Sequence, residues 1–312
     1  MNKKILITGG IGYLGSRAVD YFAKKYWDSS IYFTHYTDKH NAIFEKYANV
    51  YYRKLDLNQE TDFDLVCEGI DLVIHLAFPN EIVCVSETAR SIETGVVGTY
   101  LLLESALKHG VKHLVFLSTI HVYGENLNKE ITEKTIATPI HPYAILKRSA
   151  EDHVRFFNEK TGLKTTIIRL SNGFGAPFHQ AINRHKLFFN DVCRQALTTK
   201  QIVLKSSGKR KLDFVSFAHI FKVLDSILFQ GKECNDIINL GSGLSLSTLE
   251  MAGKIAQIIE KEEGREIPIT VNTSSEELVN ENLEYRSEFK QTETDFDQFL
   301  EQEVNQFINS LL

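Results

Sequence analysis

Over the first 170 positions, short apolar runs recur at regular intervals between longer amphipathic stretches. The runs are KILIT (4–8), SIYFT (30–34), VYYRKL (50–55), LVIHLA (72–77), HLVFLS (113–118) and TTIIRL (165–170). Each is short and rich in apolar or β-branched residues, the pattern of a buried strand. Helical stretches fill the gaps near 13–26, 40–48, 60–68, 93–109 and 142–161, with the spacing of Leu14, Ala18, Tyr21 and Phe22 as an example. Strands alternating with helices at this interval predict an α/β fold on a doubly wound parallel sheet. In such sheets ligands bind beyond the carboxyl ends of the strands.

After about residue 171 the regularity breaks, and DIINLGSG (236–243) resumes it with one more strand. Ser247 and Glu250 have the spacing of a capping box and open the helix TLEMAGKIAQIIEK. The expected division is a larger domain of residues 1–171 plus 218–243 and a smaller, discontinuous one of 172–217 plus 244–312. No internal repeat or low-complexity tract interrupts either.

Composition narrows the function classes. With 312 residues, 43% of them hydrophobic and 24% charged, the chain has the makeup of a soluble globular protein. Its net charge of −5 argues against a nucleic-acid partner, which demands a basic excess. Cys67, Cys84, Cys193 and Cys234 stand far apart with no C-x-x-C pair, so neither a metal site nor a disulfide framework is signalled. No run approaches the ~20 apolar residues of a membrane span. MNKKILITGG is too short in apolar residues for a secretory signal. Buried reduced thiols in a cytoplasmic protein fit these features.

The segment ITGGIGYLGS (7–16) places four glycines between the first strand and the first helix. It satisfies G-x-G-x-x-G through Gly10, Gly12 and Gly15, and G-x-x-G-x-x-G through Gly9, Gly12 and Gly15. Missing Cβ atoms let a pyrophosphate approach backbone N–H groups at a helix N-terminus, where the dipole favours negative charge. Gly9, Gly12, Tyr13, Leu14 and Gly15 are therefore the expected cofactor cradle, and the larger domain the dinucleotide-binding one. The bland alternative, a tight turn with no ligand, rarely needs four glycines. An acid that bonds the adenosine ribose is expected where the second strand ends, but Thr34 and His35 stand there and Asp38 lies farther on. Loss of the acid, with His35, Lys39 or His40 nearby, favours NADP(H), with NAD(H) the alternative; solvent-facing loop residues would look the same. Asp56, followed by Leu57, is placed to accept from an adenine amino group, or is an ordinary turn or N-cap residue.

HPYAILK puts Tyr143 and Lys147 one helical turn apart on one face. Tyr21 and Lys25 share that spacing, but they sit well inside the helix after the glycine loop and read as packing. Tyr143 follows Pro142 at a helix start, downstream of a strand ending in Ser118 and Thr119, so hydroxyls can converge on one cleft. A phenol titrates near ~10, and a neighbouring ammonium favours the phenolate, which suits Tyr143 to general acid–base work.

With these residues in view the chain resembles an extended short-chain dehydrogenase/reductase, of the NAD(P)-dependent epimerase/dehydratase type acting on nucleotide-linked sugars. The likeness runs through ILITGGIGYLGS, LDL, DLVIHLA, VVGTYLLLESALKHGVKHLVFLST, VYG, PYAILK, IIRLSNGFGAP, DFVSF and NLGSG. It implies a Rossmann sheet, Tyr143 and Lys147 as the catalytic pair, and Lys147 as the holder of the nicotinamide ribose. It further implies that Thr119 bonds the reacting sugar oxygen, that Leu76, Ala77 and Phe78 line the cofactor, and that Asn172 meets the substrate. A homodimer through the helices near 93–109 and 142–161 is also implied.

The departures bear on the reaction. Sugar 4,6-dehydratases of this family carry an Asp-Glu pair after the Thr; here Ile120 and His121 follow, which disfavours dehydration. His121 either faces the substrate or is packed or solvated. In GKRKLDFV, Leu212 takes the place of an arginine that grips the nucleotide diphosphate, and Arg210 or Lys211 either compensates or is a solvated run. Gly95 stands where the family often has Asn, and NENLEYRSEFKQTETDFDQF departs from the usual ending. The expected activity is hydride transfer at C4 of a nucleotide-linked sugar by a 4-keto-sugar reductase. An NAD-dependent 4-epimerase is the alternative, and a non-catalytic dinucleotide-binding regulatory protein the reading from another class.

Overall fold

The computed structural model describes residues 2–37, 41–127, 129–180, 182, 184–232, 236–271, 282–289 and 295–311. Asp38, Lys39, His40 and Cys234 lie outside them. Seven strands form the main sheet: β1 (Lys4–Thr8), β2 (Ser30–His35), β3 (Val50–Lys54), β4 (Leu72–His75), β5 (His113–Thr119), β6 (Thr165–Leu170) and β7 (Ile237–Leu240). Their order is β7-β6-β5-β4-β1-β2-β3, and each neighbouring pair from β6 to β3 is parallel. The chain winds outward from β1 to β3, then crosses to β4 and winds the other way, so the expected doubly wound Rossmann sheet is present. Its switch point lies between β1 and β4, where the register sets Thr8 beside His75.

Helices α1 (Tyr13–Lys25), α2 (Glu60–Cys67), α3 (Gly98–Lys108) and α4 (Pro142–Thr161) join these strands. Two expected helices differ. Near 40–48 there is only a 3-10 turn at Asn41–Phe44, because Phe44 is the one buried residue described there and no apolar stripe supports more turns. The helix expected over 93–109 starts as a π-helical segment, Ile92–Val97, before α3. Wide turns of this kind re-aim the backbone, and here Gly95 and Gly98 come close against Phe78 and Leu57.

The contacts divide the chain into two compact units. The first comprises residues 1–125, 136–170 and 224–238. Its core includes Leu6, Val73, Leu102, Leu114, Phe116, Val154 and Ile167. The second comprises 126–135, 171–223 and 239–312, so residues 126–135, 171, 218–223 and 239–243 fall there rather than with the first. It holds a three-stranded sheet of Ser245–Ser247, Lys211–Ser216 and Asn172–Phe174, with Phe174, Phe189, Met251, Ile255, Leu300 and Phe307 in its core. The capping box forms as expected: Glu250 N–H donates to Ser247 Oγ at 3.1 Å and Ser247 N–H to Glu250 Oε2 at 2.7 Å. Cys67, Cys84 and Cys193 are buried free thiols. No described helix is long and apolar enough to cross a membrane.

Candidate functional site

The glycine loop runs from the end of β1 into α1. Gly9 takes φ +69°, a left-handed conformation that side chains disfavour, and a Cβ on Gly15 would lie 2.1 Å from Gly9 O. A Cβ on Gly10 would lie 2.5 Å from Phe33 Cβ. These three glycines are therefore dictated by the chain's own packing, before any phosphate is considered. Gly12 differs: it is exposed and begins α1, a helix end with no side-chain cap and no acidic residue in its first turn. That end, flanked by Tyr13 and Leu14, fits an anionic pyrophosphate.

The end of β2 supports the loop. Thr34 is 1% exposed; its hydroxyl accepts from Gly9 N–H at 3.3 Å and its carbonyl from Gly10 N–H at 3.0 Å. Thr34 thus holds the loop expected to cradle the cofactor. His35 Nδ1 accepts from Thr37 N–H at 3.2 Å, a local turn at the end of the strand. Asp56 Oδ1 accepts from both the backbone and side-chain nitrogens of Asn58 at 3.0 Å, an Asx turn of the kind its alternative reading foresaw. Leu57 is buried, and Gly98 packs against it.

A directed hydrogen-bond chain crosses the switch point. Thr8 Oγ1 accepts from the Leu76 and Ala77 amides, both at 3.1 Å, and lies 2.7 Å from His75 Nδ1. With its acceptor sites taken, Thr8 donates to Nδ1. The ring proton of His75 is thereby assigned to Nε2, which donates to Thr99 Oγ1 at 3.0 Å, and Thr99 in turn donates to Gly95 O at 2.6 Å. Burial pushes the His75 pKa down to about 3, so the ring is neutral. This relay fixes the backbone of Leu76, Ala77 and Phe78. Gly9 packs on the same segment, where a Cβ would come within 3.0 Å of Ala77.

Helix α4 carries Tyr143 and Lys147 on one face. His141 caps it, Nδ1 accepting from Tyr143 N–H at 3.2 Å, and Pro142 occupies the first turn. Lys147 is 3% exposed, and its Nζ donates to Leu117 O at 2.6 Å. The Phe78, Phe116 and Tyr143 rings lie 4.0, 4.7 and 5.9 Å from that ammonium. Burial lowers the Lys147 pKa to about 7, against an opposing pull from Glu151. Phe78 meets Tyr143 edge to face with centroids 6.1 Å apart. Thr119 ends β5 two residues after Leu117, and its Oγ1 accepts from His121 N–H at 3.3 Å. His121 is exposed.

Ser118 does not join this group. Its Oγ donates to Glu151 Oε1 at 2.5 Å. Glu151, fully buried, accepts from Arg169 Nε at 3.1 Å and Nη2 at 2.7 Å, and Arg169 Nη1 donates to Tyr123 Oη at 2.9 Å. Sequence reading passed over Thr8, His75, Glu151 and Arg169. Glu151 alone had a signal, one turn beyond Lys147 on the same face. The competing pair is structural: Lys25 Nζ donates to Tyr21 Oη at 3.3 Å and to Asp225 at 2.9 Å.

Two expected substrate residues belong to the second unit. Asn172 Nδ2 donates to Asp213 O at 2.9 Å, and Arg210 is exposed. Leu212 packs against the apolar core of that unit. Asp213 is fully buried and accepts from Ser171 Oγ at 2.6 Å, Gly243 N–H at 2.8 Å and Ser242 N–H at 3.0 Å. Burial raises its pKa to about 6 despite these donors. Among the described residues no group of three His, Cys, Asp or Glu is placed to hold a metal ion.

The pattern of the NAD dependent epimerase/dehydratase family matches residues 5–241. A dTDP-D-glucose 4,6-dehydratase of Dictyostelium discoideum is 28% identical over 275 residues, covering 82% of this chain and 62% of its own length. The chain thus spans less than two thirds of that relative. A UDP-N-acetylglucosamine 4-epimerase from Methanobrevibacter ruminantium M1, solved with UDP-N-acetylmuramic acid, superposes with a TM-score of 0.82 at 23% identity, covering 100% of this chain and 99% of that one. A dTDP-glucose 4,6-dehydratase from Bacillus anthracis str. Ames, solved with NAD, gives a TM-score of 0.79 at 21% identity over 98% and 96% of the two chains. These two structures share the fold.

Proposed function

The chain belongs to the NAD dependent epimerase/dehydratase family, and from that premise we propose that it inverts a nucleotide-linked sugar at C4 using a retained NAD. The observation that carries this reading is the face of α4, where Tyr143 stands one turn from a buried Lys147 tied to the backbone of β5 just before Thr119. Dehydration would need a second proton-transfer pair after Thr119. Here Ile120 is buried with nothing to titrate and His121 is exposed, which favours epimerisation. The reductase reading drew on the missing acid at the end of β2, where Thr34 and His35 stand; Lys39 and His40 lie outside the described residues, and the NAD complex of the Bacillus anthracis neighbour is in keeping with NAD.

The described residues fit such a cofactor. Backbone amides at Tyr13 and Leu14 would hold its pyrophosphate, Asp56 its adenine, Leu76–Phe78 one flank, and Lys147 its nicotinamide ribose. When bound, the nicotinamide supplies a hydride acceptor that later returns the hydride. Tyr143 takes the C4 hydroxyl proton as the C4–H bond breaks to leave a C4 ketone, and gives a proton back when hydride returns to the opposite face. Thr119 hydrogen-bonds the same oxygen. The positive charge of Lys147 favours the phenolate of Tyr143.

The test is mass spectrometry of the released nucleotide, with proton NMR of UDP- and dTDP-linked hexoses for inversion at C4. Tyr143→Phe should lower turnover about 10²–10⁴-fold and leave NAD bound. Stoichiometric consumption of NADPH without a 4-epimer would move the assignment to a reductase, and unchanged turnover in Tyr143→Phe would remove the mechanism. We also infer a homodimer through residues 92–108 and 142–161, supported by exposed Ile92, Val97, Leu107, Ile145 and Phe156. Light scattering at twice the 35.6 kDa chain mass checks it.

A further inference from the structure

The Phe78 ring is the aromatic group nearest the Lys147 ammonium, 4.0 Å from centroid to Nζ, against 4.7 Å for Phe116 and 5.9 Å for Tyr143. Its seat exists because residue 95 is glycine. A Cβ there would stand 2.7 Å from Phe78 Cζ and 3.0 Å from both Cε atoms, closer than carbon atoms pack. Both sides of this contact are held by the relay described above: Thr8 sets the backbone leading into Phe78, and Thr99 holds the Gly95 carbonyl. One ring is thus aimed by its own backbone, seated on a missing side chain, and faced toward a cation.

We propose that Phe78, seated on Gly95, is a positioning residue that caps the Lys147 ammonium and sets its protonation for the reaction. The inference rests on the reading of Tyr143 and Lys147 as the reacting pair. Two effects of the ring oppose each other. Its bulk excludes water and disfavours the charged amine, while its face attracts the charge. Burial by all the groups around it lowers Lys147 from the ordinary 10.5 to about 7, a ring face offsets only about one pH unit, and this ring, the nearest aromatic group, adds more to that exclusion than its face returns. The other groups around the amine are Tyr143 and Glu151 on α4, Cys84 on the helix Glu81–Ser86, and His75 at the end of β4. Glu151 favours the ammonium, burial raises the Cys84 pKa and keeps that thiol protonated, and His75 is neutral.

The experiment titrates Lys147 by NMR in protein labelled with [13C]lysine, its signal identified by its loss in Lys147→Gln. Phe78→Ala, which admits water, should raise the Lys147 midpoint by about one pH unit or more. Phe78→Leu keeps the apolar bulk but removes the ring face, and should lower it. Gly95→Ala should lower the melting temperature, and adding Phe78→Ala should recover most of that loss because the clashing ring is gone. Midpoints within about 0.3 unit of one another in wild type, Phe78→Ala and Phe78→Leu would overturn the proposal. So would melting shifts of the two single variants that simply add. The titration needs no turnover: a protein that titrates as stated but epimerises no nucleotide sugar would refute the proposed function and leave this role of Phe78 standing.

Discussion

Replacing Lys147 with Met should abolish turnover yet stabilise the protein, with a gain that shrinks as pH rises. The wild-type ammonium is buried, and its pKa falls from the ordinary 10.5 to about 7 because burial disfavours the charge. At about 1.36 kcal/mol per pH unit, that difference is about 5 kcal/mol of strain on the folded state. Below pH 7 both states are charged and the folded chain bears all of it. Between pH 7 and 10.5 the unfolded chain holds one more proton than the folded chain, so wild-type stability climbs with pH. Met fills a similar volume but leaves Leu117 O without its donor, a loss of about 1–3 kcal/mol. The Met variant should therefore be about 2–4 kcal/mol more stable at pH 6. Two pH units above the midpoint the advantage should fall by about 3 kcal/mol, bringing the two proteins close to parity at pH 9. Urea unfolding of both proteins across this range measures the difference, from which groups common to both largely cancel. A Met variant less stable at pH 6, or a difference that stays flat from pH 6 to 9, would refute a desolvated ammonium at this position.

Two further outcomes follow from the packing. Gly15→Ala drives a Cβ to 2.1 Å from Gly9 O and should cost about 3 kcal/mol or more along with NAD binding. Gly12→Ala, exposed and 3.0 Å from the same oxygen, should keep the fold and weaken NAD; melting curves with and without NAD separate the two. Glu151→Gln removes the counter-charge of a buried Arg169, and chemical denaturation should register a loss of about 3–5 kcal/mol.

The main sheet was legible because each of its seven strands and most of the helices that join them advertise themselves locally, whereas the short strands of the second unit carry too few residues to show a period. KILIT, HLVFLS and TTIIRL need no partner to be read as buried strands, and the glycine loop marks where the first helix begins. That Tyr143 and Lys147 share a helix face and that Thr119 ends a strand was legible from local spacing. What escaped reading depends on register or on distance in the chain. Thr8 and His75 meet only because β1 and β4 pair across the switch point, and Glu151 meets Arg169 only because α4 packs beside β6. Thr34 and His35 were expected at the cofactor because strand ends usually face it. The structure spends Thr34 on the loop amides, a use that no local pattern announces. The helix near 40–48 failed for the opposite reason: its local spacing had no buried stripe to match.

Lys147 also shows how such a site is separated from ordinary core. Around it α4 buries Ala144, Leu146, Ala150, Val154 and Phe157, and an apolar residue at 147 would extend that stripe with no charge to desolvate. Glu151, one turn on, is bound to Ser118 and Arg169, so α4 cannot slide or rotate to lift the amine into water without breaking those bonds. The helix therefore holds a cation where packing alone would place a hydrocarbon, at a cost of several kcal/mol to its own stability. A residue that destabilises the element carrying it is not explained by folding. Its position beside a phenol and before Thr119 is the one that the proposed proton transfer calls for.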